Sequence, residues 1–183
     1  VLPGTVVDRG WRRIARTRGL RPQGLHYDGA MPNASPANDR IRLAQAMPKV
    51  LLHEHLDGGL RVATLLELLQ SRGLASPSAS ASGLARWFDA RAHAGSLTEY
   101  LRGFELTVAA MATPMALERV AYEAAEDARA EGGVLAEFRI AVLLFEAHGV
   151  PGEAAVEALL AGLARSALPS GLIVCAMRHL PES

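Results

Sequence analysis

The spacing of apolar and polar positions changes period several times along the 183 residues. Val50, Leu51 and Leu52 form a continuous apolar run. Such a run suits a strand buried on both faces of a parallel sheet. The strand covers about 49–55 and is broken by Asp57, Gly58 and Gly59. Val62, Leu65, Leu66 and Leu69 then recur at helical spacing, which predicts a helix to about Arg72 with Gly73 as its stop. "ASPSASASG", residues 75–83, has small-residue loop composition. Helices over 83–92 and 97–112 follow, the second carrying an apolar stripe of Leu97, Tyr100, Leu101, Phe104, Val108 and Met111. Thr113 suits a cap and Pro114 the first position of a further helix that runs to about Glu131 and stops at Gly132-Gly133. "VLAEFRI", 134–140, reads as a second strand. Pro151 opens a helix over 152–166, and "GLIVCAMR", 171–178, reads as a third strand. The order strand, helices, strand, helix, strand implies an α/β protein with parallel strands and crossover helices.

Composition narrows the class. Half the residues are hydrophobic and the formal net charge is zero. This is an ordinary globular chain able to bury a sizeable core, with no overall charge that calls for nucleic acid. No run of about 18 apolar residues suggests a membrane span. No signal peptide is visible, and Cys175 is the only cysteine, which argues against a disulfide framework. A cytoplasmic protein is expected, with no membrane or obligate protein partner. Charge is uneven, however: residues 1–47 hold eight Arg and three Asp, and six of the Arg fall within 9–21. "GAMPNASPANDR" adds loop composition. Residues 1–47 are expected to be a basic, irregular extension, and residues 48–183 the folded domain.

The candidate chemistry lies in "KVLLHEHLDGGL", residues 49–60. Strand side chains alternate, so Leu51, His53 and His55 are expected to share one face, with the histidines at its C-terminal end. That end of a parallel sheet is where ligands bind. Two readings stand: a pair of metal ligands, or two histidines merely hydrogen-bonded at a strand end. His-x-His followed by Asp-Gly favours metal. The metalloprotease helix HExxH is excluded, because its second His would fall at Asp57, and a single cysteine excludes a zinc finger. Glu137 and Arg139 share one face of the second strand and are expected to form an internal ion pair, with lining of a site as the other reading.

Three segments in order carry a family resemblance. "PKVLLHEHLDGGLRVATLLELL" resembles the first barrel strand of the adenosine deaminases, "ERVAYEAAEDARAEGGVLAEFRI" the next helix and strand, and "LIVCAMRHLPES" a later strand ending in Met-Arg-His. The resemblance covers residues 48–183. It implies the N-terminal half of a (β/α)₈ barrel of the metal-dependent amidohydrolase superfamily, with extra helices after the first strand and incomplete as given. It implies that His53 and His55 bind one Zn²⁺, that His55 also lies near the nucleoside, and that Asp57 contacts the ribose 5′ hydroxyl. Relatives acting on free adenine typically have Glu there, so Asp57 favours a nucleoside. Leu97, Tyr100, Leu101 and Phe104 match a hydrophobic gate over the substrate, although helix packing explains the same stripe. The remaining zinc ligand and the catalytic acid Glu are expected beyond Ser183. His148, in a loop-like context, and His179, in the Met-Arg-His segment, do not replace them. The activity implied for the complete protein is zinc-dependent deamination of adenosine or deoxyadenosine to the inosine product and ammonia. The alternatives are an adenine or modified-adenine deaminase of the same superfamily, or an inactive truncated fragment.

Overall fold

The computed structural model describes residues 36–178. The Arg-rich stretch 9–21 and His179 lie outside the described residues. Two units divide the chain, residues 1–45 and 46–183. An eleven-residue helix, α1, spans Pro36–Ala46, where irregular backbone was expected. Pro is tolerated in a first helical turn, and the Arg, Leu, Gln and Ala that follow are good helix formers, which outweighs the loop-like residues before them.

The second unit is built on a three-stranded sheet in the order β1-β2-β3, with β1 Lys49–His55, β2 Gly133–Ile140 and β3 Ser170–Val174. Both pairings are parallel. A single helical turn, α2 (Leu56–Gly59), follows β1 directly. It leads into α3 (Val62–Ser71), α4 (Ala81–Ala92), α5 (Leu97–Met111) and α6 (Pro114–Ala130) before β2. A 3₁₀ segment, Val142–His148, and α7 (Gly152–Ala164) connect β2 to β3.

Local chemistry sets the boundaries. Ser80 accepts from the Gly83 amide at 3.2 Å, so α4 starts at Ala81, two residues before its expected start. Thr113 Oγ1 accepts from the Ala116 amide at 3.1 Å with Pro114 behind it, the cap expected from sequence. Gly73 adopts φ +64° at the end of α3, a left-handed conformation that glycine takes without a Cβ clash. β3 stops at Val174 rather than continuing to residue 178.

The core lies between the helices and one sheet face. Ala136, Phe138 and Ile140 of β2 are fully buried there, with Leu65 and Leu69 of α3, Met111 of α5, Leu117 of α6 and Leu159 of α7. α6 and α7 pack closely because Gly162 faces the Glu118 carbonyl, where a Cβ has no room. Glu126 ties α6 to the chain after α7: it accepts from Ser166 Oγ at 2.7 Å and from Arg129 Nη2 at 2.7 Å.

These partners hold the Glu126 carboxyl down at about 2, with Arg129 the larger cause. A carboxylate depressed in the folded state stabilises the fold above its unfolded pKa, and that contribution fades as pH falls through about 2. Glu126→Gln is therefore expected to lower the thermal midpoint at pH 7 and to lose its effect near pH 2. Midpoints measured across that range by circular dichroism check this. An equal loss at both ends would assign the effect to packing.

The strand expected to be buried on both faces is buried on one. Val50 and Leu52 are 53% and 59% exposed, while Leu51 packs on the core. Facing them on the same open side lie the β2 and β3 residues opposite the helix layer, including Ile173, 40% exposed. Among the described residues, no helix is long and apolar enough to cross a membrane.

Candidate functional site

The ends of β1, β2 and β3 converge on the open face of the sheet. Simple alternation would put His53 and His55 on the face of Leu51, which is the helix-packed one. A bulge prevents this. Leu51 pairs with Ala136 and Glu54 with Phe138, so β1 spends three steps where β2 spends two. The expectation that Leu51 shares a face with both histidines is corrected by that extra residue. Glu54 joins Phe138 on the helix side, and His55 sits opposite Arg139 on the open side. His53 carries the bulge with φ +63°, the one non-glycine left-handed residue among those described. Such a conformation is uncommon, and His adopts it more readily than bulky or β-branched residues.

The two imidazoles are neighbours, with ring centroids 5.5 Å apart and planes tilted by 55°. Zn–N bonds of about 2.1 Å at a tetrahedral angle place two imidazole centroids roughly 5 Å apart, so the pair fits two corners of a zinc site. Among the described residues, no group of three or more His, Cys, Asp or Glu is arranged to hold a metal. The donor set is partial. Arg139 occupies the neighbouring space: Nη1 lies 2.5 Å from His53 Nε2 and 3.2 Å from Nδ1, and Nη2 reaches Cys175 Sγ at 3.0 Å. The ion pair expected between Glu137 and Arg139 gives way to these contacts, because β3 carries Cys175 up to the same strand ends. A metal on His53 requires the guanidinium to draw back.

Asp57 lies one turn further on. α2 buries it to 6% exposure. Its Oδ1 has no hydrogen-bond partner among the described residues and stands 3.7 Å from His55 Nδ1. Burial pushes the Asp57 carboxyl above the usual carboxylate range, against the opposing influence of its backbone hydrogen bond, His55 and Arg139. A buried oxygen without a donor is costly, so it is set to receive one from a ligand.

Asp57 opens onto a cavity of about 380 Å³. Tyr100 and Phe104 of α5 line it, with their ring centroids 5.5 Å apart, and Phe104 meets His55 edge-on at 6.5 Å. A Cβ on Gly58 would stand 3.3 Å from Phe104, so glycine there permits the close approach. The other two gate candidates, Leu97 and Leu101, are exposed and do not line the cavity. Phe88 and Asp89 of α4 do line it. The sequence pattern did not single them out: they read as ordinary positions of an amphipathic helix. His148 closes the 3₁₀ segment as its last residue, ahead of Gly149.

Comparison with known proteins bears on this arrangement. The family model described as adenosine deaminase matches residues 48–183. Adenosine deaminase from Mycobacterium ulcerans (strain Agy99) is 46% identical over 158 residues, which cover 81% of this chain and 43% of the relative. That from Mycobacterium avium (strain 104) is 44% identical over 155 residues, 79% of this chain and 42% of the relative. The chain thus spans less than half the length of these curated relatives. Among solved structures, an amidohydrolase from Burkholderia ambifaria with bound Zn is similar at TM-score 0.60 and 28% identity, covering 78% of this chain and 38% of that one. The adenine deaminase of Arthrobacter aurescens is similar at TM-score 0.60 and 21% identity, covering 70% and 39%. An Arabidopsis N6-mAMP deaminase gives TM-score 0.60 at 24% identity, covering 73% and 42%.

Proposed function

Because the chain belongs to the adenosine deaminase family and its three parallel strands form the N-terminal part of a (β/α)₈ barrel, we propose that the complete protein hydrolyses adenosine or deoxyadenosine to the inosine product and ammonia, with one zinc ion. The observation that carries this reading is Asp57: a buried carboxylate oxygen without a donor, one turn beyond a histidine pair, at the wall of a nucleoside-sized cavity.

Zinc, when bound, supplies a water activated at neutral pH for attack on the purine ring. His53 and His55 would hold it through their imidazole nitrogens. Asp57 accepts a hydrogen bond from a sugar hydroxyl and so fixes the nucleoside along the line from strand end to cavity. Tyr100 and Phe104 shield the base from bulk water. The proton delivered to the ring nitrogen comes from a carboxylic acid that the relatives' additional length would supply. Asp57 favours this reading over an adenine deaminase, since free adenine offers no sugar hydroxyl.

Asp57→Ala tests it. In the zinc-loaded, full-length protein, kcat/KM on adenosine is expected to fall about 10- to 100-fold, the equivalent of a hydrogen bond to a charged group worth about 1.5–3 kcal/mol. The loss on 5′-deoxyadenosine, which lacks the hydroxyl, is expected to be several-fold smaller. Equal losses on both substrates would give Asp57 a structural role.

A further inference from the structure

We infer that Asp89 is a specificity-determining residue whose carboxylate, at the mouth of the cavity floored by Asp57, turns away nucleosides that carry a 5′-phosphate. The inference rests on the reading of the cavity as a nucleoside site. It goes beyond that reading by giving a role to α4, a helix that no part of the proposed chemistry uses.

Among the described residues, two carboxylates line this cavity, and no Lys, Arg or His does. They are placed differently. The Asp57 side chain is 8% exposed, with Oδ1 lacking a donor, so it forms the floor. The Asp89 side chain is 74% exposed, so it forms the rim. A sugar whose hydroxyl reaches Asp57 directs any group on that same oxygen towards buried negative charge. A phosphate there would meet Asp57 without a donor to offer it. Displaced outward, it would meet Asp89.

The position of Asp89 is set by packing. α4 is anchored by Leu84, fully buried, and by the Ser80 cap. Phe88, the neighbour of Asp89, lies over Gly103 of α5, where a Cβ would stand 3.0 Å from its ring. α4 and α5 thus close on each other at the cavity. Among the described residues, the only side-chain ion partner of Asp89 is His93, one turn on, with Nδ1 at 3.3 Å, and that side chain is 77% exposed. His93 is absent from the cavity wall and offers a phosphate inside it no contact.

Equilibrium dialysis of the full-length protein stripped of metal, so that no turnover consumes the ligand, tests this with adenosine and adenosine 5′-monophosphate as probes. Wild type is expected to bind adenosine at least about 10-fold more tightly. At low salt, Asp89→Asn should narrow that ratio about threefold and Asp89→Arg about tenfold, as expected for one and two units of charge acting on a phosphate through screened solvent. Both gains should shrink at about 0.5 M salt, where charges that interact through solvent are largely screened. A purely structural effect would not depend on salt in this way. Asp89 is exposed, so both variants should fold, which circular dichroism verifies. An unchanged ratio in Asp89→Arg, or a salt-independent change, overturns the inference while leaving the nucleoside reading in place. Absence of adenosine binding in wild type and both variants overturns the nucleoside reading and the inference with it.

Discussion

His53→Ala and His55→Ala are each expected to strip the full-length protein of zinc and to lower kcat/KM on adenosine by well over the roughly 100-fold that loss of an outer metal partner costs. On the proposed zinc site each substitution removes one of the two imidazole donors, and among the described residues no group of three or more His, Cys, Asp or Glu is arranged to take its place. The variants differ in one useful respect. His53 holds φ +63° in the bulge, a conformation that Ala adopts less readily than His, so His53→Ala also relaxes the strand end. His55 ends β1 in ordinary extended backbone, with φ −83°. Zinc loss in His55→Ala with an unchanged thermal midpoint of the metal-free protein would isolate ligation from strain. Metal content by atomic absorption, measured beside turnover, checks both. Either variant retaining a full equivalent of zinc and near wild-type turnover would remove that histidine from the metal site.

The bulge also shows how far the sequence could be read. His-x-His spacing brought out two histidines whose rings do meet at the same strand end. The rule behind that reading fails one residue earlier. Period-two alternation holds for a regular strand, and the sequence of β1 contains no Gly or Pro to announce an irregular one. The slip appears only when β1 is laid against β2, because register is a property of the pair. The Thr113 cap and the turn at Gly73 were legible because each depends on local chemistry, and the parallel order of the sheet because it follows from the succession of strands and crossover helices. Arg139 was not. Its contacts with His53 and Cys175 join residues 86 and 36 positions away. Phe88 and Asp89 were hidden for a related reason: their place at the cavity depends on how α4 meets α5, which helix periodicity does not encode. α1 was hidden by composition, since "PAND" reads as loop until the helix formers after it are weighed.

The 183-residue chain by itself is expected to self-associate and to show no measurable deamination of adenosine, whereas a chain continued to the length of its curated relatives should be active. A closed barrel has no sheet edges, and its interior is filled by side chains from neighbouring strands. Here β1 and β3 are both edges. On the open face Val50, Leu52 and Ile173 are 53%, 59% and 40% exposed, and Leu135 between them is only half-buried. An apolar face bounded by two unpaired strands is a template for pairing with another copy, by ladder hydrogen bonds at the edges and by apolar contact across the face. The helix side tells the opposite story: Phe138, Ile140 and their partners are sealed, so the described unit holds a core and fails only where the rest of the barrel would sit. Catalysis is expected to fail at the same place, because on the proposed zinc site two imidazoles supply only two donors and, among the described residues, no group of three or more His, Cys, Asp or Glu is arranged to hold a metal. Sedimentation velocity at several concentrations, with inosine formation assayed in added zinc, measures both effects. Leu52→Lys, which puts charge on the open face without touching the buried one, should reduce the association and leave the chain inactive. A monomer of the 183-residue chain that turns over adenosine would overturn the partial-barrel account and the placement of the acid together.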